Sequence, residues 1–313
     1  MRLRFIPVPA ALTLIAASCG PAGSEQPIVV AGVGLATPES VLHDVEADVY
    51  LVSNINGGPL VEDDNGFISR IAPDGRVLAL KWIDGASDRV TLHAPKGMAI
   101  VGDVLYVTDI HTVRKFDRTS GEPLGDIHLA GSTFLNDLAT APDGSLYLTD
   151  SGLRASADGT GFEPSGTDAV YRLGQDDSIQ TVLAGAALGG PNGVIVAANA
   201  VWVVSFGSGE LYRLVTGERT DVIKLPGGQL DGIEALDGEL LISSWEAKAV
   251  FRGPPAGPFT AVVADVEAPA DIGLDRRRQR VLIPLFMANE LRIVPLSMAR
   301  TRSDTARLAE TRD

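Results

Sequence analysis

Residues 136–150 read NDLATAPDGSLYLTD, and each part of the stretch has a structural job. Asn136-Asp137 opens it, a short apolar run follows, Pro142-Asp143-Gly144 turns the chain, and residues 145–149 form a second run that ends in Asp150. A Pro-Asp-Gly turn between two runs of strand-forming residues predicts a β-hairpin. The same unit recurs as PESVLHDVEADVYLVSN, PKGMAIVGDVLYVTD, PNGVIVAANAVWVVSF, LDGIEALDGELLISSW and ADIGLDRRRQRVLIPLF, giving six copies. Their second residues are Glu39, Lys96, Asn136, Asn192, Asp231 and Asp271, spaced 57, 40, 56, 39 and 40 residues apart. A repeat of about 40 residues built only of strands is the signature of propeller blades. The expected fold is all-β, a six-bladed β-propeller with four-stranded antiparallel blades.

Outward from the hairpins, the fifth repeat offers four strand-like runs, at 233–236, 239–244, 249–252 and 259–264. The sixth offers three, at 272–274, 280–285 and 291–295, and then becomes TRSDTARLAETRD, which lacks the alternation of a strand. One repeat is short of a strand, while residues 28–33 (IVVAGV) form a spare one before the first repeat. The N-terminal strand is therefore expected to complete the sixth blade and close the ring, which removes an exposed sheet edge. The predicted organisation is a lipoprotein signal peptide and lipobox at 1–19, a tether at 20–27, the propeller at 28–296 and a charged C-terminal tail at 297–313.

The first nineteen residues belong to targeting. Arg2 and Arg4 precede an apolar stretch at 5–17 that is too short to span a bilayer, and Ala16-Ala17-Ser18 leads into Cys19. This resembles a bacterial lipoprotein signal, in which the cysteine carries the lipid. The alternative is an ordinary secretory signal, and either one exports the protein. The resemblance implies a bacterial cell-envelope protein held by an N-terminal lipid anchor, periplasmic or on the outer-membrane side, and otherwise secreted. Cys19 is the single cysteine, so an intramolecular disulfide or thiolate metal site is excluded. With 26 basic against 40 acidic residues the formal charge is −14, which repels nucleic-acid phosphates and anionic lipid surfaces. The expected partner is a small-molecule substrate, with no nucleic acid, membrane contact only through the anchor, and a monomeric state.

In a four-stranded blade the inner strand starts on one face of the disc and the second strand returns to it. The second residues of the repeats, and the residues that close them, should then gather at one mouth of the central channel. The closing residues are Asn54, Asp109 and Asp150 in the first three repeats and Phe206, Trp245 and Phe286 in the last three. If these six side chains reach the mouth, one wall is polar and the other apolar; the alternative is that the aromatics fill the packing between blades. The two long repeats carry their extra length on the same face, at 55–66 and 151–167, as a lid, a binding rim or solvated decoration.

Glu39, Asn136, Asn192 and Asp231 offer carboxylate and amide oxygens only, the ligand set of a hard cation. Turn chemistry alone also favours Asn, Asp and Gly, so one such motif says little. Four at one repeat position, converging on one axis, point to a divalent cation: calcium first, with magnesium, manganese or zinc as alternatives.

These residues resemble the gluconolactonase and regucalcin (senescence marker protein) family, whose members are six-bladed propellers with a divalent cation at the channel mouth. The resemblance spans roughly 28–296. It implies that the metal is held by Glu39 in the first blade, Asn136 of Asn136-Asp137 in the third, Asn192 of Asn192-Gly193 in the fourth and Asp231 of Asp231-Gly232 in the fifth. Sugar-lactone members carry an Arg two residues before the third-blade Asn; this chain has Phe134. Lys96 would place an ammonium near Glu39 or Asp271, to orient an anionic substrate or to replace the cation.

Other chemistries lack their motifs. His43, His93, His111 and His128 show no paired metal spacing, no Gly-x-Ser-x-Gly elbow or phosphate-binding Gly-Lys-Ser/Thr loop is present, and Glu62-Asp63-Asp64-Asn65-Gly66 lacks the calcium-loop pattern. Two functions are expected. One is a metal-dependent, lactonase-like hydrolase of a small lactone or ester, with Asp231 as candidate general base and Lys96, Asp109, Phe134, Asp150, Phe206, Trp245, Asp271 and Phe286 around the substrate. The other is a non-catalytic propeller that binds a ligand or a protein at the envelope.

Overall fold

A computed structural model describes residues 26–159 and 161–296. The signal segment, Cys19, most of the expected tether and the charged tail lie outside the described residues.

Six four-stranded antiparallel sheets form the ring. The inner strands are Pro38–Asp44, Pro95–Val101, Leu135–Thr140, Pro191–Ala197, Leu230–Leu236 and Gly273–Asp275. The second strands are Val49–Asn54, Val104–Asp109, Leu146–Asp150, Ala200–Ser205, Glu239–Ser244 and Arg280–Leu285. Because side chains alternate across a strand, each second strand serves two seams at once. In the first blade Tyr50 and Val52 pack toward the sixth blade with Leu282 and Ile293, while Val49 and Leu51 pack toward the second with Met98 and Leu105. Six such apolar clusters occur, one for each junction between neighbouring blades. The core is thus a ring of seams rather than one central mass, and the axis stays open for a site.

The ring closes as the strand count predicts. Ile28–Val30 pairs with Glu290–Pro295 as the outermost strand of the sixth blade, Ile28 opposite Ile293 and Val30 opposite Leu291. The strand is shorter than the expected 28–33 because Gly32 and Gly34 take positive φ values of 66° and 99°, which end the extended run. Val30 and Leu35 bury into the seam between the sixth and first blades.

Every inner strand but the sixth carries the same irregularity at its start. Pro38 pairs with Asn54, yet the next regular pair is Val41 with Val52, so three steps on one strand face two on the other. The shift recurs at Pro95/Met98, Leu135/Leu138, Pro191/Val194 and Leu230/Ile233. These are β-bulges, which leave a residue out of the ladder and re-aim its side chain. Glu39, Lys96, Asn136, Asn192 and Asp231 occupy that re-aimed position.

This register corrects the sixth repeat. Pro269 bridges to Leu285 as Pro38 pairs with Asn54, so the counterpart of Glu39 is Ala270, and Asp271 is the counterpart of Ser40 and Asp137. Hydrogen bonds agree: Thr149 Oγ1 donates to Asn192 O at 2.5 Å, and Ser243 Oγ donates to Ala270 O at 2.9 Å. The third positions let adjacent strands approach closely. A Cβ on Gly193 would lie 2.3 Å from Asp231 O, so only glycine fits there.

Candidate metal and substrate site at the channel mouth

A cavity of about 370 Å³ opens at the mouth, and Glu39, Lys96, Asn136, Asn192 and Asp231 all line it. Glu39, Asn136, Asn192 and Asp231 are buried, at 5%, 4%, 5% and 3% exposure. Buried polar atoms almost always find a partner. Glu39 Oε2, Asn192 Oδ1 and Asp231 Oδ1 have none, and they come from three different blades at one structural position. The Asn136 amide nitrogen donates to Ser151 Oγ at 3.0 Å, and Ser151 in turn donates to Pro191 O at 2.6 Å, so the amide is fixed from the next blade. Burial pushes the Glu39 and Asp231 carboxyls well above the usual carboxylate range, and the charges of Asp231 and Asp271 on Glu39, and of Asp271 on Asp231, add to it. The floor gathers buried carboxylates without a cation paired to them.

Lys96 does not meet that need. Its ammonium donates to Pro59 O and Ala94 O, both at 3.1 Å, and lies 4.5 Å over the Phe134 ring, so its three N–H groups have two carbonyls and a ring face. Among the described residues it forms no ion pair with Glu39. Burial lowers its pKa to about 8, against the pull of Glu39, Asp109 and Asp150. Lys96 braces the 55–66 loop against the mouth, and Phe134 takes up the face of its charge.

The closing positions divide differently from the sequence expectation. Asn54, Asp109 and Asp150 pair with the first residue of their inner strands, where the counterparts in the last three blades are Ser205, Ser244 and Leu285. Phe206, Trp245 and Phe286 are the next residues along, equivalent to Ile55, Ile110 and Ser151. Asn54, Asp109 and Asp150 turn away from the cavity and clamp the loop entering each inner strand. Asn54 accepts from Ala36 N, Asp109 from His93 N, Ala94 N and Arg114 Nε, and Asp150 from Thr133 N, Phe134 N and Gly152 N. The polar wall is therefore absent, and Ile55, Ser151, Phe206, Trp245 and Phe286 line the cavity in its place. The three aromatics stand outside the six seams.

Asp271 lines a different cavity, also about 370 Å³, at the other end of the channel with Asp137, Glu234, His43 and Arg118. Burial raises Asp271 to about 7 although Ser40 Oγ donates to its Oδ2 at 2.5 Å. Asp137 joins blades by accepting from Val194 N at 2.8 Å and from its own neighbour Leu138 N at 2.6 Å.

Both long loops reach the mouth. Within 151–167, Leu153–Ala155 and Phe162–Pro164 pair as a small hairpin that brings Leu153 and Phe162 to the cavity, and Pro59 does so from the other loop. The hairpin escapes sequence reading because each strand is three residues long, below any readable period. The acidic turn at 62–66 is structural: Asp64 accepts from Leu92 N through Oδ1, and His93 Nδ1 accepts from Asp64 N. Among the described residues no cluster of three or more His, Cys, Asp or Glu side chains is set to hold a metal, since half of the mouth's donors are amides. No helix among them is long and apolar enough to cross a membrane.

No family model matches the chain, and no curated protein sequence matches it. Its fold is shared with solved propellers. A gluconolactonase from Xanthomonas campestris, described as important in glucose secondary metabolic pathways, superposes with a TM-score of 0.61 at 22% identity, over 83% of this chain and 86% of that one. A putative gluconolactonase gives 0.65 at 17% identity, over 88% and 93%. Virginiamycin B lyase from Staphylococcus aureus gives 0.60 at 15%, over 87% and 99%.

Proposed function

We propose that this propeller, which folds like the gluconolactonases, is a divalent-cation-dependent hydrolase of a small lactone or ester. We further propose that it is exported to the bacterial cell envelope as a monomer on a lipid carried by Cys19. The observation that carries the catalytic reading is the set of three buried, unpartnered oxygens on Glu39, Asn192 and Asp231 at one bulge position of three blades. Oxygen donors of this kind suit a hard cation, with two carboxylates to balance its charge and amides that add ligands without repulsion. Glu39, Asn192 and Asp231 would hold it, with Asn136 as a fourth donor or a close neighbour, and calcium is the first candidate ahead of magnesium, manganese or zinc.

When bound, such a cation polarises a carbonyl and lowers the pKa of a nearby water. Asp231 would accept the proton of the attacking water through the carboxylate oxygen that is not given to the cation. The water oxygen bonds to the acyl carbon, the acyl–oxygen bond breaks, and the leaving oxygen takes up a proton, so a lactone yields a hydroxy acid. Lys96 keeps Phe134 and the 55–66 loop in place, and the 151–167 hairpin narrows access to water.

Metal analysis of purified protein, then a lactone and ester screen on wild type and Asp231→Ala, tests the reading. Stoichiometric metal and activity lost in Asp231→Ala are expected. Protein that holds no metal, melts unchanged in calcium or magnesium and hydrolyses nothing would overturn it and leave a binding propeller.

A further inference from the structure

The walls of the mouth contrast with its floor. Phe206, Trp245 and Phe286 follow the second strands of three consecutive blades and meet as a continuous aromatic face. Phe206 and Trp245 lie 5.5 Å apart at 83°, and Trp245 and Phe286 lie 5.1 Å apart at 51°. Elsewhere on the wall Phe134 meets Phe162 edge to face at 6.4 Å. Phe162 and Met287 remain 52% and 67% exposed where the cavity reaches solvent. The polar groups without partners are at the floor: the three oxygens, and the indole Nε1 of Trp245, which is buried with no acceptor in hydrogen-bonding geometry. Trp245 and Asp231 line the same cavity, so the N–H stands at that floor beside the Asp231 carboxyl.

We infer that the site takes a lactone or ester with an apolar body, an alkyl- or aryl-substituted ring, and that Trp245 reads it twice. Its ring packs against the body, and its indole N–H donates to an oxygen of the reacting group. This rests on the hydrolase reading and names its substrate class. A polyhydroxylated lactone would turn hydroxyls against rings that cannot bond them, and each hydroxyl so buried lowers binding roughly tenfold. Lys96 and Ser151, which also line the cavity, are already committed to backbone carbonyls, and the Gln229 amide stands at the exposed rim rather than among the rings. The cavity's size, about 370 Å³, accepts a five- or six-membered ring with a short arm leaving past Phe162 and Met287.

The test uses calcium-loaded full-length protein, a series of γ-lactones with side chains from methyl to hexyl, and glucono-lactone. The expected kcat/KM rises about fourfold per methylene over the first few carbons and falls at least 100-fold for the sugar lactone. Trp245→Phe keeps the chain-length slope and loses about tenfold in kcat across the series, whereas Trp245→Ala also loses the slope. Melting temperatures of both variants should stay near wild type, because Trp245 lies outside the seams. Equal activity on the sugar lactone, an unchanged slope in Trp245→Ala, or a loss confined to stability would overturn the inference. Binding of an alkyl-substituted tetrahydrofuran, measured by calorimetry, separates the two readings. If it binds wild type but not Trp245→Ala while no lactone is hydrolysed, the hydrolase reading fails and the apolar pocket stands. If lactones are hydrolysed without chain-length dependence, the pocket assignment fails alone.

Discussion

Asp109→Ala should damage folding and leave chemistry intact. The side chain is fully buried and holds three donors: Ala94 N at 2.8 Å, His93 N at 3.1 Å and Arg114 Nε at 2.9 Å. Truncation leaves two backbone N–H groups without an acceptor, one of them buried, and each such group costs about 1–3 kcal/mol. Arg114 keeps Asp126 at 2.9 Å, so its charge is not stranded and adds little. The total is roughly 2–4 kcal/mol, the lower part of the combined range because His93 is only part-buried. For a domain of this size that lowers Tm by roughly 4–8 °C. Asp109→Asn, which keeps one acceptor oxygen, should lose about half as much. Calorimetry on the variants gives the stability change, and calcium titration and KM on the same samples give the rest. An Asp109→Ala protein that melts within about 2 °C of wild type but binds substrate poorly would refute the clamp and return Asp109 to the pocket.

Asp231→Ala should lose most cation affinity, since Glu39 would be the one remaining carboxylate donor, while Asp64→Ala, whose side chain does not line the cavity, should keep it; calorimetric titration with calcium compares them. Deleting residues 28–30 exposes the edge of Glu290–Pro295 and should produce aggregates in size-exclusion chromatography; a variant that stays monomeric with an unchanged Tm would remove the closure argument. Cys19→Ala should move the protein from the membrane fraction to the soluble one with its Tm unaltered, and wild type found only in the soluble fraction would count against lipid attachment.

The ring was legible in the sequence because inner and second strands alternate cleanly around turns whose residues leave little choice. The mouth was legible one residue at a time. Glu39, Asn136, Asn192 and Asp231 stand in equivalent bulges, and each begins a copy after Pro or Leu, so composition and register agree. In the sixth blade composition points to Asp271, while the bridge from Pro269 to Leu285 sets the register and gives the place to Ala270. The closing residues fail for a related reason. A one-residue step along a strand reverses the direction of the side chain, so Asp109 and Trp245, read as equivalent, face opposite ways. What the eye aligns by residue type, the backbone separates by parity. Trp245's unpaired indole and the Lys96 brace depend on contacts between distant segments, and no local pattern encodes them.

The closing strand also fixes where the chain leaves the ring. Ile28 lies opposite Ile293 and Val30 opposite Leu291, so the strand runs from the far end of the channel toward the mouth, and Leu296 ends beside Gln279 at that same far end. Both ends of the described ring therefore depart from the face opposite the site. Residues 20–27 reach at most about 28 Å even when extended. A lipid on Cys19 would moor the disc by its back, with the aromatic mouth turned toward the aqueous compartment. Apolar substrates would then reach the mouth from the aqueous side rather than directly from the bilayer.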